Sequence, residues 1–234
     1  MNKFVLLGLS LFLLIFCCTG CNHDDDENKN LVDGVTMSGT MGNYAYVDLG
    51  LSVKWATYNV GATKPTGCGK HFAWGETVEK DDYMRSNYKW YDQTNGLFIK
   101  YCSDESKGIV DNKYDLDTED DVASVTWGGT WRMPTYEEMK ELVEGCTWDF
   151  VSNFNGSGIN GALGKSDRNG NTIFFPVAGL LNHEEPLPTV GFYWTSSLFH
   201  DTMAFDFGFM ENMNIFKTYA DNREMGASVR AVSE

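Results

Sequence analysis

The sequence predicts a loop-rich α+β domain, with short antiparallel sheets and one or two helices. Two observations carry this. Five strand signals follow one another in the last third of the chain: Thr172-Ile173-Phe174-Phe175, Gly191-Phe192-Tyr193-Trp194-Thr195, and residues 203–209, 215–219 and 228–232. One strong helix signal precedes them. Thr135 is a good N-cap, and Glu138 three residues later completes a capping box. Met139, Leu142, Val143 and Cys146 then recur on one helical face.

Taken in order, the chain begins with an address. Lys3 gives a positive start and residues 4–16 are almost wholly apolar, too short for a comfortable membrane span. The run ends in Cys18-Thr19-Gly20-Cys21, which resembles the site where bacteria attach diacylglycerol to cysteine and cleave before it. The other reading is an ordinary secretory signal cleaved nearby. The acidic run behind it, Asn22-His23-Asp24-Asp25-Asp26-Glu27, resembles the surface-export signal of Bacteroidetes lipoproteins. Residues 1–20 are therefore read as a lipoprotein signal peptide, Cys21 as the lipidated residue, residues 21–43 as an acidic tether, and residues 44–234 as the domain. The expected location is the outer membrane, lipid-anchored and facing the cell exterior.

Acids outnumber bases 33 to 18, a net charge of −15, and loss of Lys3 with the leader makes the chain more negative. Nucleic acid is an unsuitable partner, and contact with a membrane must come through the lipid alone. Three cysteines remain after Cys21: Cys68, Cys102 and Cys146. At most one pair can form, and none has metal-ligand spacing.

Within the domain, Tyr46-Val47-Asp48-Leu49 runs into a turn at Gly50, and Val53, Trp55 and Thr57 alternate on the return. Residues 83–101 are aromatic-rich without periodicity and read as a long, partly ordered excursion. Residues 111–121 are acidic. They lack the sixth-position glycine of a calcium loop, so Asp120 is read instead as the cap of a short helix over Val122-Ala123-Ser124-Val125. The formal G-x-G-x-x-G at residues 156–161 lies among turn residues. It is read as loop and hairpin, with Asn169-Gly170 as the turn. Phe205, Phe207 and Phe209 alternate with Asp206 and Gly208, as a half-buried strand would.

A family resemblance rests on motifs in order across residues 44–232. They are Tyr46-Val47-Asp48-Leu49-Gly50-Leu51, Trp55-Ala56-Thr57 with Asn59-Val60-Gly61-Ala62, and Phe72-Ala73-Trp74-Gly75-Glu76-Thr77. Trp127-Gly128-Gly129 with Trp131-Arg132-Met133-Pro134-Thr135, Phe175-Pro176-Val177-Ala178-Gly179, Tyr193-Trp194-Thr195-Ser196-Ser197 and Ser228-Val229-Arg230-Ala231-Val232 complete the set. Together they resemble the Fibrobacter succinogenes major paralogous domain, a domain of exported and surface proteins with no assigned chemistry. The set is also similar to the wider C-type-lectin-like class, which includes formylglycine-generating enzymes, so the resemblance implies a C-type-lectin-like fold. The late copper-binding cysteine pair of those enzymes is absent. Of the Glu-Pro-Asn motif of animal lectins, Glu185-Pro186-Leu187 matches two residues. Related domains often carry cysteine where Cys102 and Cys146 stand, so the resemblance implies that pairing if a disulfide forms.

The resemblance also implies a ligand surface on the loops of the last third. The candidate contacts are His183, Glu184 and Glu185, then Phe199 and His200, then Tyr219, Asp221 and Arg223. These segments lack strand alternation and mix aromatics, His, carboxylates and Arg. Ordinary solvated connections have the same composition. Trp90 and Tyr91, in the aromatic excursion, are the alternative site. Trp74, Glu76, Trp131, Arg132, Trp194 and Arg230 read as structural motif residues. For Arg132 and Arg230, anion recognition competes with a structural use, holding carbonyls or a carboxylate such as Glu76, and the structural use is preferred. Trp55 and Trp127 are also assigned to the core.

The four histidines are scattered, and no H-E-x-x-H, G-x-S-x-G or P-loop occurs. The expected function is a surface-exposed, non-catalytic binding module for a glycan or protein, with no cofactor. A structural or tip component of a surface assembly ranks second and an enzyme third.

Overall fold

The computed structural model describes residues 31–182, 187, 189–211 and 216–234. The leader, Cys21, the acidic run and the candidates His183, Glu184 and Glu185 lie outside them. The class is the expected one: mixed α+β, mostly short antiparallel sheets, loop-rich, with two α-helices among the described residues.

Strands β1 (Leu31–Val32) and β2 (Val35–Thr36) pair with each other, and β3 (Gly39–Met41), β4 (Tyr44–Val47) and β5 (Lys54–Ala56) follow as antiparallel neighbours. The tether therefore ends well before residue 43. Val35 is buried with Phe154 and Phe174. Thr36 N donates to Thr172 Oγ1 at 3.2 Å, and Thr172 N donates to Thr36 Oγ1 at 3.0 Å. Strands of two or three residues are too short to display alternation.

The aromatic excursion is ordered by the hairpin of β6 (Tyr91–Asp92) with β7 (Leu97–Phe98). Helix α1 (Val122–Trp127) is the expected short helix, but its cap is Asp121, which accepts from Ser124 N at 2.9 Å. Asp120 is engaged elsewhere, by Lys89 Nζ at 3.0 Å, Lys100 Nζ at 2.6 Å and the Tyr101 hydroxyl at 2.7 Å. Helix α2 (Tyr136–Glu144) has both halves of its capping box. Glu138 N donates to Thr135 Oγ1 at 3.3 Å, and Thr135 N to Glu138 Oε2 at 2.8 Å. The carboxylate that holds Arg132 is the same Glu138, reached at 2.7 and 2.6 Å, and not Glu76. Glu76 instead accepts from Lys80 Nζ and Lys89 N. Met139 and Leu142 face inward, whereas Cys146 starts the next strand rather than the last helical turn.

Strands β8 (Cys146–Val151), β9 (Gly161–Ser166) and β10 (Thr172–Pro176) form one sheet, and the glycine motif opens a strand rather than a helix. Strands β11 (Val190–His200), β12 (Met203–Met210) and β13 (Phe216–Asn222) form another. β14 (Val232–Ser233) returns to pair with β5, giving the order β14-β5-β4-β3.

The β11–β12–β13 sheet separates two cores. Tyr193, Phe207 and Phe209 join Trp55, Phe175, Met139 and Leu142 in one. Trp194 and Ala204 join Trp74, Tyr101, Ala123 and Trp131 in the other. Alternation along β12 holds, yet both faces are covered, so Asp206 is fully buried where a solvent face was expected. Trp74 and Trp194 lock reciprocally: Trp74 Nε1 donates to Thr195 O at 2.9 Å and Trp194 Nε1 to Phe72 O at 2.8 Å.

Residues 227–233 are buried and stitch these parts together. Ala56 N donates to Ala231 O, Val60 N to Val229 O, Trp194 N to Ser228 O, and Val232 exchanges both backbone bonds with Arg132. Within this segment Arg230 serves the preferred structural use. It donates to Asn59 Oδ1, Ala56 O and Phe174 O and lies 4.4 Å from the Phe175 ring centre. Desolvation pulls its guanidinium down to about 10, still protonated at neutral pH.

All three cysteines are free thiols. Cys102 lies with Tyr83, Tyr88 and Phe98, whereas Cys146 belongs to the Trp55 core, so the implied Cys102–Cys146 bridge is not formed. Burial, joined by Asp167, pushes the Cys146 thiol up to about 12.

Candidate functional site

Among the described residues, the structure does not gather the predicted contacts. Leu198-Phe199-His200 is the end of β11, and Tyr219-Ala220-Asp221-Asn222 is the end of β13; residues 198–200 and 220–222 were expected to be loop. Phe199 is exposed but packs against Phe205, with ring centres 5.0 Å apart. Its neighbour His200 accepts or donates at Nδ1 with the Thr202 hydroxyl at 3.2 Å. Tyr219 pairs across the strands with Asp206, on the sheet face opposite Phe205. The candidates are thus split over two faces of one sheet.

Arg223 needs the largest correction. It is fully buried and donates to the Tyr88 hydroxyl at 3.1 Å and to the carbonyls of Tyr101, Asp201 and Lys100 at 3.0, 2.7 and 3.0 Å. Its guanidinium lies 4.6 Å from the Phe98 ring centre and 5.1 Å from that of Trp74. Full burial and four hydrogen bonds commit the guanidinium to pinning the aromatic excursion to the sheet, so Arg223 is no ligand contact. Asp221 is half-buried beside Asp206, and burial raises its carboxyl.

A cavity of about 410 Å³ lies between that excursion and the residues after β13, lined by Tyr83, Met84, Arg85, Ser86, Asn182, Glu224 and Met225. Arg85 and Glu224 form an ion pair at 3.0 Å on its wall. A second cleft of about 260 Å³ is polar and includes Asp121 and Arg132. Both groups there are already committed, Asp121 to the amides of Ser124 and Met133, Arg132 to Glu138.

A further recess keeps recognition chemistry unused. Between the β3–β4 turn and the turn after α1 is a cavity of about 410 Å³, lined by residues 41–44 and 127–131. Tyr44 stacks on Trp127 with ring centres 4.0 Å apart and planes within 9°. Trp131 meets both rings edge-on, at 5.2 Å from Trp127 and 6.2 Å from Tyr44, and Tyr58 meets Trp127 at 5.8 Å. Trp131 Nε1 donates to Met41 O at 3.1 Å, which fixes the hairpin to the floor of the recess. Among the described residues the side chains of Trp127, Tyr44 and Asn43 have no hydrogen-bond partner. Sequence reasoning missed this place by assigning Trp127 to the core. Trp131 is buried as expected, and Trp127 packs against the same core but is only partly buried. The available signal was a Gly-Asn turn running into Tyr44, and two tryptophans flanking Gly128-Gly129-Thr130.

Fold and recess together define a class: an α+β, loop-rich domain with a ring-lined surface cavity. Comparison with protein-family models, curated proteins and solved structures finds no match for the chain.

Proposed function

We propose that this chain is an exported module, lipid-anchored at Cys21 in the outer membrane and facing the cell exterior. In this reading it binds a glycan or a protein and performs no chemistry on it. The observation that carries the reading is the recess of Tyr44, Trp127 and Trp131, whose lining contains no acid, amine, imidazole or thiol. Such a lining can hold a ligand, and the Tyr44 phenol is its one titratable side chain. The resemblance to the Fibrobacter succinogenes major paralogous domain and to the C-type-lectin-like class supports an exported setting. The negative charge disfavours nucleic acid, and no cofactor enters the reading.

The test is binding of the purified protein to arrays of glycans and of surface proteins. Reproducible capture of a ligand that is recovered unaltered supports the reading. Silence on both arrays, or a chemically altered ligand, would overturn it. A structural part in a surface assembly is the second reading, favoured by β13, which stands at the edge of its sheet. A seven-residue edge invites strand addition, so self-assembly blocked by a proline in β13 would favour that reading.

A further inference from the structure

We propose that the recess beside Trp127 is a saccharide subsite that takes a neutral pyranose against the Tyr44–Trp127 rings. The inference deepens the binding reading above and rests on it. Four features of the recess point to a sugar rather than to another ligand.

The ring surface is fixed before any ligand arrives. Tyr44 lies flat on Trp127, and Trp131 and Tyr58 hold the pair edge-on. A pyranose presents a patch of C–H bonds that covers such a ring, with hydroxyls around its edge that need hydrogen-bond partners.

Partners of the right kind are idle. The Trp127 indole N–H, the Tyr44 hydroxyl and the Asn43 amide bond to no other group among the described residues. An aliphatic or aromatic protein side chain would cover the rings and leave those three groups dry and unpaired. A sugar satisfies both requirements at once.

The rim is bare backbone. Gly42 has φ +60° at the first position of the two-residue β3–β4 turn, where a II′ hairpin requires glycine. Gly128 has φ +67°, also left-handed. At both, and at Gly129, the space a side chain would occupy is empty. No side chain therefore screens the rim from a ligand at Gly42 or Gly129, while the Gly128 peptide is already engaged, its N–H by Ser124 O and its carbonyl by Trp131 N.

Charge sets the remaining limit. Residues 41–44 and 127–131 include no Lys, Arg, Asp or Glu, and the whole chain carries −15. An acidic or phosphorylated ligand would meet a repulsive field and no local cation, which leaves a neutral sugar.

The experiment uses ¹⁵N-labelled protein titrated separately with methyl β-glucopyranoside, methyl β-galactopyranoside, methyl α-mannopyranoside and N-acetylglucosamine. The chain has seven tryptophans and so seven indole N–H signals. With at least one sugar the Trp127 signal should move together with the amides of Gly42, Asn43 and Gly128. The signals of the buried Trp55, Trp74 and Trp194 should stay. Trp127→Ala should weaken binding about tenfold or more. Asn43→Ala, at an exposed turn, should weaken it about threefold and leave the fold intact, so it serves if the first variant does not fold. The proposal is overturned if none of the four sugars moves the Trp127 signal, or if both variants bind like the parent. A sugar that moves Phe199 or Tyr219 and leaves Trp127 unmoved also overturns this site while sparing the binding-module reading. Silence on both arrays removes that broader reading instead.

Discussion

Replacing Asp206 by Asn should stabilise the domain at neutral pH and flatten its pH dependence. Asp206 sits on the central strand β12, fully buried, and neither carboxyl oxygen has a hydrogen-bond partner among the described residues. Trp194 and Tyr219 are its cross-strand neighbours, and Asp221 lies one pair further along the same face. Burial first, and the Asp221 carboxyl second, hold Asp206 well above the usual carboxylate range; burial raises Asp221 as well. A carboxyl with a raised folded pKa contributes its full stability below the unfolded pKa. That contribution is lost as pH rises through the folded pKa. Above about pH 4, each pH unit costs about 1.4 kcal/mol until the folded group ionises. Carboxylates held low, such as Glu138 and Asp120, act in the opposite sense, so the profile of the parent mixes both. The difference between Asp206→Asn and the parent isolates one group. Asn keeps the shape of the protonated acid, and its amide can donate to Asp221. Urea unfolding near neutral pH should give a gain of about 1–3 kcal/mol, shrinking toward zero near about pH 4. A variant less stable at neutral pH, or a difference that ignores pH, would refute the argument.

Arg223→Ala should destabilise by about 3 kcal/mol or more, because a buried hydroxyl and three carbonyls lose their donor. Arg223→Lys should recover little, since one ammonium cannot span four acceptors; a near-neutral urea midpoint for either variant would deny the pin. Alkylation without reduction should modify Cys68, Cys102 and Cys146 once the protein is unfolded, and a bridged peptide would contradict the free thiols. Cys21→Ala should release the protein from the membrane fraction, and an anchored, acylated variant would end the lipoprotein reading.

The parts of this fold that were legible are those whose signals are local. Thr135 and Glu138 are three residues apart, so the capping box and the period after it could be read directly. The same holds for the alternation of Phe205, Phe207 and Phe209, although covering both faces is a tertiary fact that alternation does not encode. Arg223 is the opposite case. It follows polar strand-edge residues, and its partners Lys100 and Tyr101 lie more than a hundred positions upstream. Nothing near it in sequence separates a buried pin from a surface contact. Trp127 and Trp131 make the same point at closer range. They share one tract, yet the β3–β4 hairpin covers Trp131 and leaves part of Trp127 open. Asp120 and Asp121 were equally eligible as caps, and the choice fell to lysines on another segment.

The burial of residues 227–233 also sets a clock. A ribosome releases this segment after every strand and helix that it joins. Until then β5 lacks β14, Arg132 lacks its strand partner, and the backbone of Trp194 has no acceptor in Ser228. The nascent chain can form α2 and the local hairpins, but neither core can close around them. Assembly is thereby held back by a missing piece until this segment emerges, and a chain cut before residue 227 would lose both cores rather than fray at one end.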